Sequence, residues 1–231
     1  MTTKVNFFWF RRDLRLDDNA GLFHALKAGK PVIGIFIFDT NILEKLEDRK
    51  DARVTFLHNT ISKLAKEIEL LGGQLIVVYD DPLEAWKKLL EQYDVGTVYT
   101  NRDYEPYALE RDLSVSNFLQ SEHVAFKSYK DQVIFEGNEV VKADNTPYTV
   151  FTPYSRKWKA KLGEYRTSEF LKAYDCKEHF SAFEFHEQRK YDLPSLESIG
   201  FETSSIPIPK RETTVGLIKQ YNETRDFPSL K

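Results

Sequence analysis

Over residues 1–130 short apolar runs alternate with amphipathic stretches, the pattern of a parallel sheet covered on both faces by helices. The runs Val5–Phe10 and Pro31–Phe38 are β-branched or aromatic and bounded by charge, Gly or Pro, so they predict buried strands. Gln74–Tyr79, Thr97–Thr100 and Val124–Ser128 predict three more. Val54, Leu57, Ile61, Leu64, Ile68 and Leu71 recur at alternating spacings of three and four, a helix stripe stopped by Gly72 and Gly73. Leu83, Trp86, Leu90 and Tyr93 share one face of a further helix, with Asp81 as N-cap and Pro82 as first helical residue. Asp17 and Asp18 are expected to cap a short helix running through Leu22 and Leu26.

Five strands joined by right-handed helical crossovers make an α/β fold, a doubly wound, Rossmann-like parallel sheet. Its ligand crevice is expected beyond the carboxyl ends of the strands, so the site belongs in the loops that follow them. After residue 130 turn signals at Gly137, Asn138, Asp144-Asn145 and Thr146-Pro147 break the rhythm, and a helix is expected from Pro153 to about Leu162. Residues 163–200 are charged and aromatic without a clear period, Thr203–Pro209 reads as an extended linker, and a last helical stretch is expected near Glu212. The chain therefore divides into an α/β unit at 1–130, an extension with a helix and a connector at 131–200, and a linker with a further segment at 201–231.

Composition narrows the class. Among 231 residues 41% are apolar and 30% charged, which suits a globular protein and neither a disordered nor a fibrous one. No apolar run approaches the length of a membrane span, and the start lacks a signal peptide's apolar core, so we expect a cytoplasmic monomer that does not touch membranes. A single cysteine, Cys176, cannot form an internal disulfide or a multi-cysteine metal site. A net charge of −3 argues against non-specific nucleic-acid binding by the chain as a whole, while leaving room for a local basic patch.

Four stretches carry candidate chemistry. The turn after the first strand, Arg11 to Asn19, has no glycine with which to approach a pyrophosphate, so the dinucleotide-binding oxidoreductase reading is weak. Its three arginines either offer guanidinium donors to an anionic or carbonyl-rich ligand or pair locally with its three aspartates. Asn101–Tyr107 follows the fourth strand, where Asp103 and Glu105 either accept from the N–H groups of a heterocycle or simply favour a helix N-terminus. Arg53 and the strand end from Phe36 to Asp39 are expected to converge on the same pocket. Arg156–Lys161 is basic around Trp158, either a phosphate contact or a solvated helix face with one anchoring ring. There is no GxSxG, P-loop or HExxH, and His24, His58, His123, His179 and His186 are scattered.

The stretch Phe8-Trp9-Phe10-Arg11-Arg12-Asp13-Leu14-Arg15-Leu16-Asp17-Asp18-Asn19 resembles the opening signature of the DNA photolyase/cryptochrome family. Other landmarks follow in order: Asp51-Ala52-Arg53-Val54, Asn101 to Tyr107, Val150-Phe151-Thr152-Pro153-Tyr154 with Trp158, and Tyr221 to Pro228, which is similar to the family's YxxxRDxP stretch. The resemblance implies light-driven splitting of pyrimidine dimers in DNA by electron transfer from reduced FAD, fed by an antenna chromophore. It places that FAD in a following all-helical domain, of which residues 201–231 would be the first segment. It implies that Tyr221 lies at the edge of the FAD site and Arg225 on the DNA-binding side. It also implies that the chain stops just before the run that holds the flavin phosphates, so that damaged DNA is met by the missing helical part and this portion alone is inactive in repair.

By the same resemblance Arg12, Phe36, Arg53, Asp103 and Glu105 line an antenna pocket for a deazaflavin or FMN. Folate-binding members carry an Asn-Glu pair where this chain has Tyr107-Ala108, which makes folate the poorer candidate. Two alternatives differ in class: a cryptochrome-type photoreceptor, which shares these motifs, and a stand-alone nucleotide-binding module using the Arg-rich turn, which leaves Tyr221–Pro228 unexplained.

Overall fold

The computed structural model describes residues 4–165, 173–185, 192–207 and 221. Strands β1 (Val5–Phe10), β2 (Val32–Asp39), β3 (Leu75–Asp80), β4 (Val95–Asn101) and β5 (Ala125–Tyr129) form one parallel sheet in the order β3-β2-β1-β4-β5. The chain winds outward from β1 through β2 to β3, then crosses back over β1 to β4 and β5. Strand order therefore reverses between β1 and β4, and the crevice of a doubly wound sheet opens at their carboxyl ends.

The helices are α1 (Ala20–Leu26), α2 (Thr40–Leu43), α3 (Ala52–Leu70), α4 (Pro82–Gln92), α5 (Pro106–Ser121) and α6 (Phe151–Tyr165). Every residue of β1 and β2 is buried, as a sheet covered on both faces requires. The two-residue period sorts them: Phe8, Phe10, Phe36 and Phe38 face α1 and α3, while Phe7, Trp9, Ile33, Ile35 and Ile37 face α4 and α5. On the first face Val54, Ile61, Leu64 and Ile68 deliver the stripe of α3, and Cys176, Phe183, Leu196, Ile199 and Phe201 return from late in the chain to complete that layer. On the second face Trp86 meets both Phe7 and Trp9, with ring centroids 6.0 and 5.5 Å apart.

Some boundaries differ from the sequence reading. Asn19, not Asp17 or Asp18, caps α1, its Oδ1 accepting from the Leu22 N–H at 3.1 Å. Asp18 is held outside the helix in the left-handed region at φ 46°, and its carboxylate accepts the Tyr174 N–H at 2.9 Å. Asp81 caps α4 as expected, accepting from the Leu83 and Glu84 N–H groups at 2.9 and 3.2 Å. Helix α6 begins at Phe151, ahead of Pro153, because a proline in the first turn sacrifices no intrahelical bond. The helix expected near Glu212 lies outside the described residues.

Candidate functional site

The loop leaving β1 is organised by a buried acid. Asp13 Oδ1 accepts the Arg11 N–H at 2.8 Å, and its Oδ2 accepts from the side-chain amides of Asn101 and, at 3.5 Å, Asn19. Asn101 in turn donates to Asn19 Oδ1 at 2.8 Å and accepts the Gly21 N–H at 2.7 Å, so the end of β4, the β1 loop and the start of α1 form one polar knot. Burial pushes the Asp13 carboxyl above the ordinary carboxylate range, against the pull of these donors. Arg11 leaves the knot to bind the Asn101 carbonyl and Asp112 on α5.

With the loop fixed, the next residue reaches the sheet's carboxyl edge. The Arg12 guanidinium lies 3.3 Å from Asp103 Oδ2 and 3.8 Å from Glu105 Oε1 at the mouth of a cavity of about 170 Å³. Trp9, Phe36, Ile37, Phe38, Leu43 and Leu57 give that cavity apolar walls, and Arg12, Asp39, Asp103, Glu105, Tyr107 and Arg111 supply polar groups. Apolar walls with a few placed polar groups are the lining of a small-molecule site: the apolar part of a ligand is desolvated while its polar atoms keep hydrogen-bond partners.

Of the residues singled out in the sequence, Arg12, Phe36, Asp103 and Glu105 come together here. Arg53 does not line the cavity. Its side chain is 78% exposed and folds back onto Asp51, the N-cap of α3, at 2.6 Å. Helix α3 reaches the cavity instead through Leu57, one turn on. Asp103 and Glu105 line the cavity and immediately precede the first turn of α5, where Glu105 is the N-cap without a side-chain capping hydrogen bond. Tyr221 is 61% exposed, and Arg225 lies outside the described residues.

The sequence reading passed over Arg111. It lies one turn after Tyr107, and that i, i+4 spacing on a helix opening at the crevice was the available signal. The Tyr107 hydroxyl donates to Asp39 Oδ2 at 2.6 Å, and burial followed by the Asp39 charge raises its ionisation well above the ordinary tyrosine range. The Arg111 guanidinium carbon stands 5.0 Å from the centroid of Trp9 and 5.8 Å from that of Tyr107, and that of Arg11 stands 5.1 Å from Trp9. Trp9 is thus approached by two cations, with Asp112 binding both arginines.

Elsewhere, Trp158 packs edge-on against Phe135 at 5.6 Å, anchoring the basic face of α6. Among the described residues no group of three or more His, Cys, Asp or Glu is arranged to hold a metal, and no helix is long and apolar enough to cross a membrane.

Residues 6–172 match the family described as DNA photolyase. The chain is 28% identical to a deoxyribodipyrimidine photo-lyase of Synechococcus sp. (strain PCC 6301), over 96% of this chain and 48% of that protein. Among solved structures it is similar to a class III photolyase of Agrobacterium tumefaciens, with TM-score 0.69 and 23% identity over 97% of this chain and 42% of that one. It is also similar to an archaeal photolyase of Sulfolobus tokodaii described with two FAD molecules and an implied novel light-harvesting cofactor, with TM-score 0.56 and 26% identity over 72% of this chain and 35% of that one. The chain spans about half the length of the photo-lyases it matches in sequence.

Proposed function

The chain belongs to the DNA photolyase family, and from that premise we propose that it is the amino-terminal α/β portion of a deoxyribodipyrimidine photolyase whose cavity seats a flavin- or deazaflavin-type antenna. One observation carries the reading: Phe36 within β2, Arg12 after β1, and Asp103 and Glu105 after β4 meet at one apolar-walled cavity on the sheet's carboxyl edge. Arg12 set between two carboxylates gives that mouth both donors and acceptors, matching the alternating carbonyl and N–H groups of an isoalloxazine-like ring. A folate is the poorer fit. Tyr107 already spends its hydroxyl on Asp39, and Ala108 beside it has no polar side chain. The S. tokodaii relative's two flavins support the flavin class.

An antenna needs no acid, base or nucleophile, because excitation passes through space to the FAD of the helical half and the cofactors carry the chemistry. The work of this portion is to hold a ring in a fixed, desolvated position. Dimer splitting, with the damaged bases turned out of the duplex toward reduced FAD, is assigned to the half of the relatives' length beyond this chain. Phe201 still packs in the α/β core, so the linker and the first segment of that half are read from the residues after it, with Tyr221 at the FAD edge and Arg225 toward DNA.

Titration of the purified chain with FMN, a 5-deazaflavin and methenyltetrahydrofolate, followed by absorption and fluorescence polarisation, tests the reading. Saturable binding of FMN or the deazaflavin, tighter than that of the folate, is expected. Preference for the folate, or no uptake of any of the three, refutes it. Light-dependent dimer repair by this chain with added FAD would overturn the assignment of the chemistry to the other half.

A further inference from the structure

Two electron-rich rings stand in the cavity wall, the indole of Trp9 and the phenol of Tyr107. Beside a light-absorbing ring they are a hazard. A photoexcited flavin or deazaflavin has the photon's energy added to its pull on an electron, so one electron can leave the indole or phenol for the excited ring and then return in recombination. Nothing is consumed and no bond changes, but the excitation is lost before it is passed on.

The surroundings of these rings oppose that loss. Arg111 faces both, at 5.0 and 5.8 Å, and Arg11 adds a second cation at 5.1 Å from Trp9. Their side chains are only 10% and 7% exposed, so water screens their charge weakly, and guanidinium is charged at every working pH; Asp112, which pairs with both, offsets one of the two charges and leaves a net cation beside Trp9. A fixed cation against an aromatic face favours the neutral ring through its quadrupole and disfavours the same ring once an electron has been removed. Asp39 works the other way at Tyr107, since it stands ready to take the hydroxyl proton from an oxidised phenol, and its Oδ2 is also 4.0 Å from Arg111. Arg111 is thus the one described side chain set against both rings and against the carboxylate that would help oxidise one of them.

Resting on the antenna reading, we propose that Arg111, supported by Arg11, is a positioning residue that keeps Trp9 and Tyr107 from giving an electron to the photoexcited chromophore, and so preserves its excited state for transfer.

The test is the fluorescence lifetime of FMN or a 5-deazaflavin, whichever binds more tightly, on the full chain. Replacing the charge in R111M or R111Q is expected to shorten the bound lifetime about threefold or more, while R111K, which keeps a cation near the rings, stays close to wild type. Adding W9F and Y107F to R111M removes the donors and is expected to restore the lifetime. A wild-type lifetime in R111M or R111Q with ligand bound overturns the proposal. Where neither neutral variant folds, W9F/Y107F alone decides: a lifetime close to wild type supports the guard, and a severalfold lengthening overturns it, because the rings would then be quenching despite the arginines. Failure of the wild-type chain to bind either ring defeats the antenna reading itself, and this proposal with it.

Discussion

The Tyr107 hydroxyl donates a 2.6 Å hydrogen bond to Asp39 Oδ2, tying the first turn of α5 to the end of β2 across the cavity. Removing it in Y107F is expected to cost about 1–2 kcal/mol, a hydrogen bond to a charged acceptor, in urea unfolding at neutral pH. Burial and Asp39 raise the Tyr107 ionisation above its ordinary value of 10.0, so above that pH the unfolded chain releases a proton that the folded one keeps. This contribution is complete below pH 10 and declines as pH rises further. The gap between wild type and Y107F should narrow in that alkaline range, and a gap that widens there would contradict the assignment.

Asp13 offers the opposite titration window. Its buried carboxyl is raised from an ordinary 3.8, so the folded state prefers the protonated form, and its contribution is greatest at acid pH and declines as pH rises through the raised value. D13N, which cannot titrate, should therefore gain on wild type as pH climbs from 4 toward neutrality. D13A strands the Arg11 N–H and the Asn101 amide, whereas D13N keeps one acceptor and turns its NH2 toward the other donor, so D13A should cost about 1 kcal/mol more than D13N. Equal losses for the two variants would mean that the polar knot contributes little.

Gly21 is the residue on which α1 approaches β4. A Cβ there would sit 2.8 Å from Asn101 Oδ1, 2.8 Å from Phe8 Cε2 and 2.9 Å from the Thr100 carbonyl oxygen. G21A is expected to destabilise by about 1–3 kcal/mol, read as a lowered Tm, because a backbone oxygen and a packed ring must both move.

Arg53 and Asp103 separate a motif residue from a cavity residue. R53A should leave flavin or deazaflavin affinity within about twofold and the Tm close to wild type, since its exposed pair with Asp51 is of the weak surface kind. D103N should weaken binding about tenfold, the loss of one charge-assisted contact of about 1.4 kcal/mol at the mouth. Fluorescence titration of both variants checks this, and a larger loss in R53A would bring Arg53 into the ligand's reach.

Much of the architecture was legible because it depends on local composition. Short β-branched and aromatic runs bounded by charge, Gly or Pro favour buried parallel strands, and the three- and four-residue spacing from Val54 to Ile68 favours a helix with one buried face. The winding of the chain places the site in post-strand segments, which points to Asp103, Glu105 and the end of β2, while Arg12 as an individual lining residue follows from the family resemblance. What tertiary structure alone decided depends on residues far apart in the chain. Arg53 stands in a recognisable motif, yet its direction was set by Asp51 and open solvent. Asp13 was one acid among three in an Arg-rich turn until Asn101, 88 residues on, turned it into a buried hub. Arg111 acquired its meaning only when helix α5 carried it to Trp9 and Asp39. Cys176, Phe183 and Phe201 come from segments without period, because side chains that fill gaps left by other elements obey the shape of those gaps and no rhythm of their own. Hydrophobic periodicity records which face of an element is buried; it cannot record what lies opposite, and the site is made of such pairings.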